Sequence, residues 1–196
     1  MFIQVIHGTC TRQDELRAVG ESWREELGEG ATGWLGGTFG FTDDNDFLAI
    51  VRFGSREAAM ANSQRPEQGE WAARMGELLD GAPTFYDCDD VTTFLEGGSD
   101  DAGFVQVIRG HTDDAAPIKA MLADPGDLKQ MRPEIIGGTF ALASDGTFYE
   151  TIYFTDEASA RKGEGLEPPT EVREALAAMM AGATFYDLHK PWFESP

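Results

Sequence analysis

The sequence predicts an α+β fold made of two copies of one βαββαβ module, with the antiparallel sheets of the copies packed on each other. Three observations predict it. Blocks of sequence recur in the same order: FIQVIHG at Phe2–Gly8 returns as FVQVIRG at Phe104–Gly110, WLGGTF at Trp34–Phe39 as IIGGTF at Ile135–Phe140, and GAPTFYD at Gly81–Asp87 as GATFYD at Gly182–Asp187. Each half also reads as the same succession of strands and helices. Finally, the first strand of each half carries apolar residues on both faces, which requires both faces of the sheet to be buried. Internal repetition is sought first because missing it changes the whole architecture.

The elements follow in order. Phe2–His7 and Phe104–Arg109 are rich in residues that suit a pleated surface. A helix follows in the first half, where Thr11 and Asp14 have capping-box spacing and Leu16, Val19, Trp23 and Leu27 recur at helical intervals. Ile118, Met121 and Leu122 mark a shorter helix in the second half. Next come paired strands, Gly33–Phe41 with Asp46–Phe53 and Glu134–Leu142 with Thr147–Phe154, the latter around an Asp145-Gly146 hairpin signal. Ser55 and Asp156 are N-cap candidates for a second helical region. Pro66 and Gly69 interrupt that region in the first copy, and Gly163, Gly165, Pro168 and Pro169 in the second. A cleaner helix then carries Trp71, Met75, Leu78 and Leu79, or Val172, Leu176, Met179 and Met180, and ends at Gly81 or Gly182. Thr84–Cys88 and Thr184–Leu188 close the modules. The predicted domains are residues 1–96 and 104–196, joined by the acidic linker 97–103. Tails at Val91–Leu95 and Pro191–Phe193 carry aromatic residues able to pack onto the other half.

Composition narrows the function. The chain has 35 acidic against 15 basic residues and a formal charge of −20, spread over both halves. Such a surface repels phosphate backbones and anionic headgroups, so nucleic acid and membranes are not expected partners. No window reaches the length of an apolar membrane span. The N-terminus reads as a strand and not as a signal peptide, which points to the cytoplasm. Cys10 and Cys88 have no metal-ligand spacing and are expected to be free thiols. They fall at opposite ends of neighbouring strands, on the order of 15–20 Å apart, too far for a disulfide.

The β-α-β-β-α-β order is the ferredoxin-like split βαβ pattern. With two copies in one chain, it resembles the dimeric α/β-barrel superfamily, particularly its antibiotic-biosynthesis-monooxygenase-like branch. Members of that branch usually pair two chains; here the duplication implies an intramolecular barrel-like unit. The resemblance implies chemistry on a small molecule without a cofactor, the substrate's own carbanion reacting with oxygen. This sequence departs from some members, which carry a His in the helix after the third strand, where it has Asn62 or Lys162. The Asn, Trp and His of heme-degrading members have no placement here.

Candidate site residues come from equivalent positions in the copies. Gln4 and Gln106 are strand-centre amides, expected either to satisfy each other or to orient a ligand. His7 and Arg109 are equivalent but differ, so one half is expected to hold a competent pocket with His7 as acid or base. Trp34, Trp71 and Tyr86 are either plain core or the lining of an aromatic cavity in the first half. Gly36-Gly37 and Gly137-Gly138 lie inside strands and predict bulges. Arg52 and Glu150 each lie in a third strand, as an ion-pair partner or a pocket charge. No residues suggest a metal site. Three functions stay open: a non-catalytic binder of a small apolar or aromatic molecule, a cofactor-independent monooxygenase-like enzyme, and a packed interaction module. Monomer and homodimer are both compatible with the sequence.

Overall fold

Alternating apolar residues at the start of each copy form the strands on which the rest is built. In a computed structural model, the described residues are 1–123, 126, 128–166, 173 and 180–196. Pro168, Pro169, Val172, Leu176 and Met179, from which a last helix of the second copy is read, lie outside them. The first copy contains β1 (Phe2–Thr9), α1 (Gln13–Leu27), β2 (Trp34–Phe41), β3 (Asp46–Phe53), α2 (Arg56–Ser63), α3 (Pro66–Leu78) and β4 (Thr84–Phe94). The second contains β5 (Phe104–His111), α4 (Ala116–Ala123), α5 (Leu128–Met131), β6 (Ile135–Ala143), β7 (Thr147–Phe154), α6 (Glu157–Glu164), β8 (Thr184–Leu188) and β9 (Trp192–Glu194).

The chain divides into two compact units, but not where the repeat boundary suggests. Unit 1 is Met1–Asp89 together with Trp192–Pro196, and unit 2 is Asp90–Pro191. The reason lies in the tails, which are strands. In unit 1 the antiparallel order is β4, β1, β3, β2, β9. In unit 2 it is β8, β5, β7, β6, and then β4, whose residues from Asp90 onward belong there.

Helices cover one face of each sheet. On that face of unit 1, α1 turns Leu16, Gly20, Trp23 and Leu27 inward, one buried stripe at helical spacing. Trp23 meets Trp34 edge-on at 4.6 Å, in one cluster with Phe2, Leu27 and Phe53. A second cluster joins Leu16, Phe47, Ala49, Met75 and Trp192. The corresponding core of unit 2 holds Phe94, Phe104, Leu122, Phe140, Phe148 and Phe154. The opposite sheet faces are buried as well, including Ile3, Val5, Leu48 and Ile50 in unit 1 and Val105, Val107, Tyr149 and Tyr153 in unit 2. Apolar residues on both sides of β1 and β5 required this.

Local expectations mostly hold. Ser55 and Asp156 cap their helices by accepting from the backbone N–H of Ala58 and Ser159. Register shifts at Trp34/Gly36 and Ile135/Gly137 are the expected bulges. Neither Cys10 nor Cys88 is in a disulfide, and Cys88 lies opposite Ile3 on antiparallel β1 and β4. Two expectations fail. Thr11 does not cap α1: its N–H and hydroxyl bind the Asp80 carboxylate, which fixes the helix start from outside. Gly81 does not take a left-handed conformation, because Leu79 already leaves the helix as extended chain and Asp80 N–H bonds to Thr9 O. Gly182 does take it, at φ +74°.

Candidate functional site

The face of the unit 1 sheet that carries no helix also carries its one histidine. Alternation along β1 puts Ile3, Val5 and His7 on this face, opposite Arg52, Ile50 and Leu48 of β3. Asp46 begins β3 opposite Thr9, so it is the diagonal neighbour of His7. His7 Nε2 and Asp46 Oδ1 are 3.0 Å apart, with 22% of the His7 side chain exposed. The hairpin fixes Asp46 from behind: its N–H donates to Thr42 Oγ1, its carbonyl accepts from Thr42 N–H, and Asn45 turns the chain at φ +67°. An imidazole that donates Nε2–H to a carboxylate carries its lone pair on Nδ1. In that form it accepts a proton, and the carboxylate stabilises the resulting cation. Tyr86 and Thr84 of β4 share this face, paired with Val5 and His7.

Unit 2 does not repeat the pair. By the repeat, Arg109 takes the place of His7 and Thr147 that of Asp46, so both acid–base groups are absent from the equivalent position. Asp46 was not singled out in the sequence, where it reads as the first residue after a turn. The split βαβ topology places β1 beside β3, and that register is the signal that would have found it.

The remaining candidates do not converge on His7. Trp34 belongs to the helix-side cluster with Phe2 and Phe53, and Trp71 packs on the same side, its indole N–H donating to Val19 O. A cavity lined jointly by Trp34, Trp71, Tyr86 and His7 is therefore ruled out, because the sheet separates the first two from the last two. Gln4 and Gln106 also lie on the helix sides and do not bind each other. Gln4 donates to Asp87 at 2.8 Å and Gln106 to Asp187 at 2.9 Å, each within its own unit. An arginine completes each cluster. Arg56 binds Asp87 and Asp89 and lies over the Phe2 ring, while Arg161 binds Asp187 and lies over Phe104. Arg56 beside it holds the Asp89 carboxyl below its ordinary value. These clusters fasten the last strand of each module to its first strand and second helical region, which is a structural task.

Arg52 is buried and donates to Thr38 Oγ1 at 3.0 Å. Its guanidinium lies against Gly36, where a Cβ would sit 2.7 Å from Arg52 Nη2. Among the described residues no three His, Cys, Asp or Glu side chains group as a metal would need. No helix among them is long and apolar enough to cross a membrane.

No family model and no curated protein matches the sequence. Solved structures do match it in shape. A candidate monooxygenase of Fusobacterium nucleatum superposes with a TM-score of 0.74 at 10% identity, over 99% of this chain and 94% of that one. An anthrone oxidase-like protein gives 0.69 at 12% identity, over 99% and 92%. The fold is that of the antibiotic-biosynthesis-monooxygenase-like proteins, in tandem. A Listeria monocytogenes ferredoxin-fold protein described as related to those monooxygenases adds a TM-score of 0.53 at 12% identity, over 95% and 94%. The α+β fold with two ferredoxin-like repeats, and the likeness to this branch, are thus as the sequence predicted.

Proposed function

We propose that unit 1 takes a small apolar or aromatic carbon acid at the His7 end of its helix-free sheet face and that His7 removes a proton from it, with Asp46 as the positioning residue. The observation that carries this reading is the 3.0 Å His7–Asp46 contact at the end of an otherwise apolar strand face. The carbanion so formed reacts with dioxygen: a C–O bond forms, water is lost, and a methylene becomes a carbonyl. Balanced, a methylene compound and O2 give a ketone and water, with no further reductant. The names of the similar structures, a candidate monooxygenase and an anthrone oxidase-like protein, support this reaction class. The net charge of −20 favours neutral or cationic substrates over anions. The reading places the protein in the cytoplasm, as a monomer or homodimer.

Oxygen uptake with anthrone as probe tests the proposal. General-base catalysis contributes about 10²- to 10⁴-fold, so His7→Gln should lose that much of kcat/KM. Uptake no faster than the uncatalysed reaction, or a His7→Gln variant as fast as wild type, would overturn it. A second reading, binding without turnover, is favoured for unit 2, where Arg109 and Thr147 replace the pair.

A further inference from the structure

Taking a proton from a carbon conjugated with a carbonyl moves charge onto the carbonyl oxygen. A base aimed at the carbon is then half of what the step needs. The other half is a hydrogen-bond donor aimed at the oxygen, placed before the charge develops. Such a donor has to lie on the helix-free face, next to His7, and within reach of solvent, where the substrate arrives.

The sheet register leaves one side chain that meets these terms. β1 is an inner strand, and His7 is paired on both sides, with Leu48 of β3 and Thr84 of β4. The Leu48 side chain is buried and carries no polar atom. Asp46, the diagonal neighbour on β3, accepts and does not donate, and its Oδ1 is 3.0 Å from the imidazole. Thr84 has an O–H, is exposed, and makes no hydrogen bond through it among the described residues. His7 thus has a carboxylate on its β3 side and a hydroxyl on its β4 side. Residues directly across antiparallel strands have Cβ atoms about 4.5–5.5 Å apart, a span that a carbonyl oxygen and an acidic carbon of one small molecule bridge. With 22% of the His7 side chain exposed and Thr84 exposed, both groups are reached from solvent. Val5 and Leu48 are fully buried further in, so the substrate sits at this end of the face and needs no opening in the packed interior.

We propose that the Thr84 hydroxyl is the second catalytic group of unit 1, donating to the carbonyl oxygen of the substrate and stabilising the enolate formed as His7 takes the proton. The assignment rests on the reading of His7 as the base, and it narrows the substrate to a ketone whose acidic carbon is conjugated with its carbonyl. In the step, the C–H bond breaks and the proton goes to His7 Nδ1. The electron pair left on carbon forms the enolate double bond, and the carbonyl π pair moves to oxygen. Thr84 keeps its proton and shares it with that oxygen. Unit 2 provides an internal control, since Thr184 is exposed in the same way but is paired with Arg109 in place of a base.

Fluorescence titration of the full chain with 2-naphthol, a stable enol, and with naphthalene, which lacks the oxygen, tests the donor without turnover. Wild type should bind 2-naphthol about five- to tenfold more tightly than naphthalene. Thr84→Val should erase that preference, whereas Thr84→Ser and Thr184→Val should keep it. In oxygen uptake with anthrone, Thr84→Val should lower kcat/KM about 10²-fold, and Thr84→Ser should restore most of the rate. The pH dependence of kcat/KM should stay that of wild type in Thr84→Val, because no titrating group is lost, in contrast to Asp46→Asn. A Thr84→Val protein that keeps the 2-naphthol preference would refute the assignment, whether or not anthrone is turned over. Absence of anthrone turnover together with a Thr84-dependent preference would overturn His7 as base and support Thr84 as the donor to the ligand oxygen.

Discussion

Glu150 makes the stability of the protein depend on pH in a calculable direction. Burial alone raises its carboxyl from 4.5 to about 7. In the unfolded chain the group loses its proton near the ordinary value; in the folded chain it keeps it until the higher one. Between these values the unfolded state binds fewer protons, so stability falls as pH rises. Below about pH 4.5 both states are protonated and the penalty is absent; above about pH 7 it is complete. A shift of this size corresponds to about 3 kcal/mol, a sizeable part of the stability of a small domain. Glu150→Gln removes the titration while keeping the shape. Urea unfolding of wild type and variant at about pH 4.5, 6 and 8 gives the difference in stability, in which all other titrating groups cancel. That difference should move by about 3 kcal/mol in favour of the variant from the lowest pH to the highest. A pH-independent difference would refute the reasoning, because it would mean that Glu150 has the same proton affinity folded and unfolded.

Other perturbations follow from the geometry. Trp192→Ala empties an indole-sized space in the core of unit 1 and should cost about 3–5 kcal/mol in denaturant unfolding. Trp192→Phe keeps a ring and removes an indole N–H that is buried without a partner among the described residues, so it should cost much less. Gly36→Ala forces a side chain into a residue at φ +120°, with its Cβ 2.9 Å from Glu194 O. It should cost about 1–3 kcal/mol and make the C-terminal tail more sensitive to limited proteolysis. Asp46→Asn keeps the shape beside His7 but removes the carboxylate. Oxygen uptake should fall by about 10²-fold or more, with an altered pH profile, while thermal stability changes little.

The repeat, the order of elements and the likeness to a known fold were legible because they reside in local pattern. Strand alternation, the helical stripe of α1 and the caps at Ser55 and Asp156 depend on residues within a few positions of one another. The failures share one cause. Thr11 was read as a local cap, and Asp80, far along the chain, took its groups instead. Symmetry offers Gln4 and Gln106 either each other or a ligand, but each has an aspartate on the adjacent strand. Trp34 and Tyr86 were grouped by residue type, though the sheet places them on opposite faces.

The sequence by itself determined that there are two modules, which residues alternate along each strand, and that both sheet faces must be buried. Tertiary structure alone decided that Asp46 meets His7, that residues 192–196 complete unit 1, and that Glu150 lies opposite Ile108 and Phe140. The physical reason is that local pattern sets the torsions and faces of an element. Which side chains then share a face across strands depends on register, and register is fixed only when distant strands hydrogen-bond.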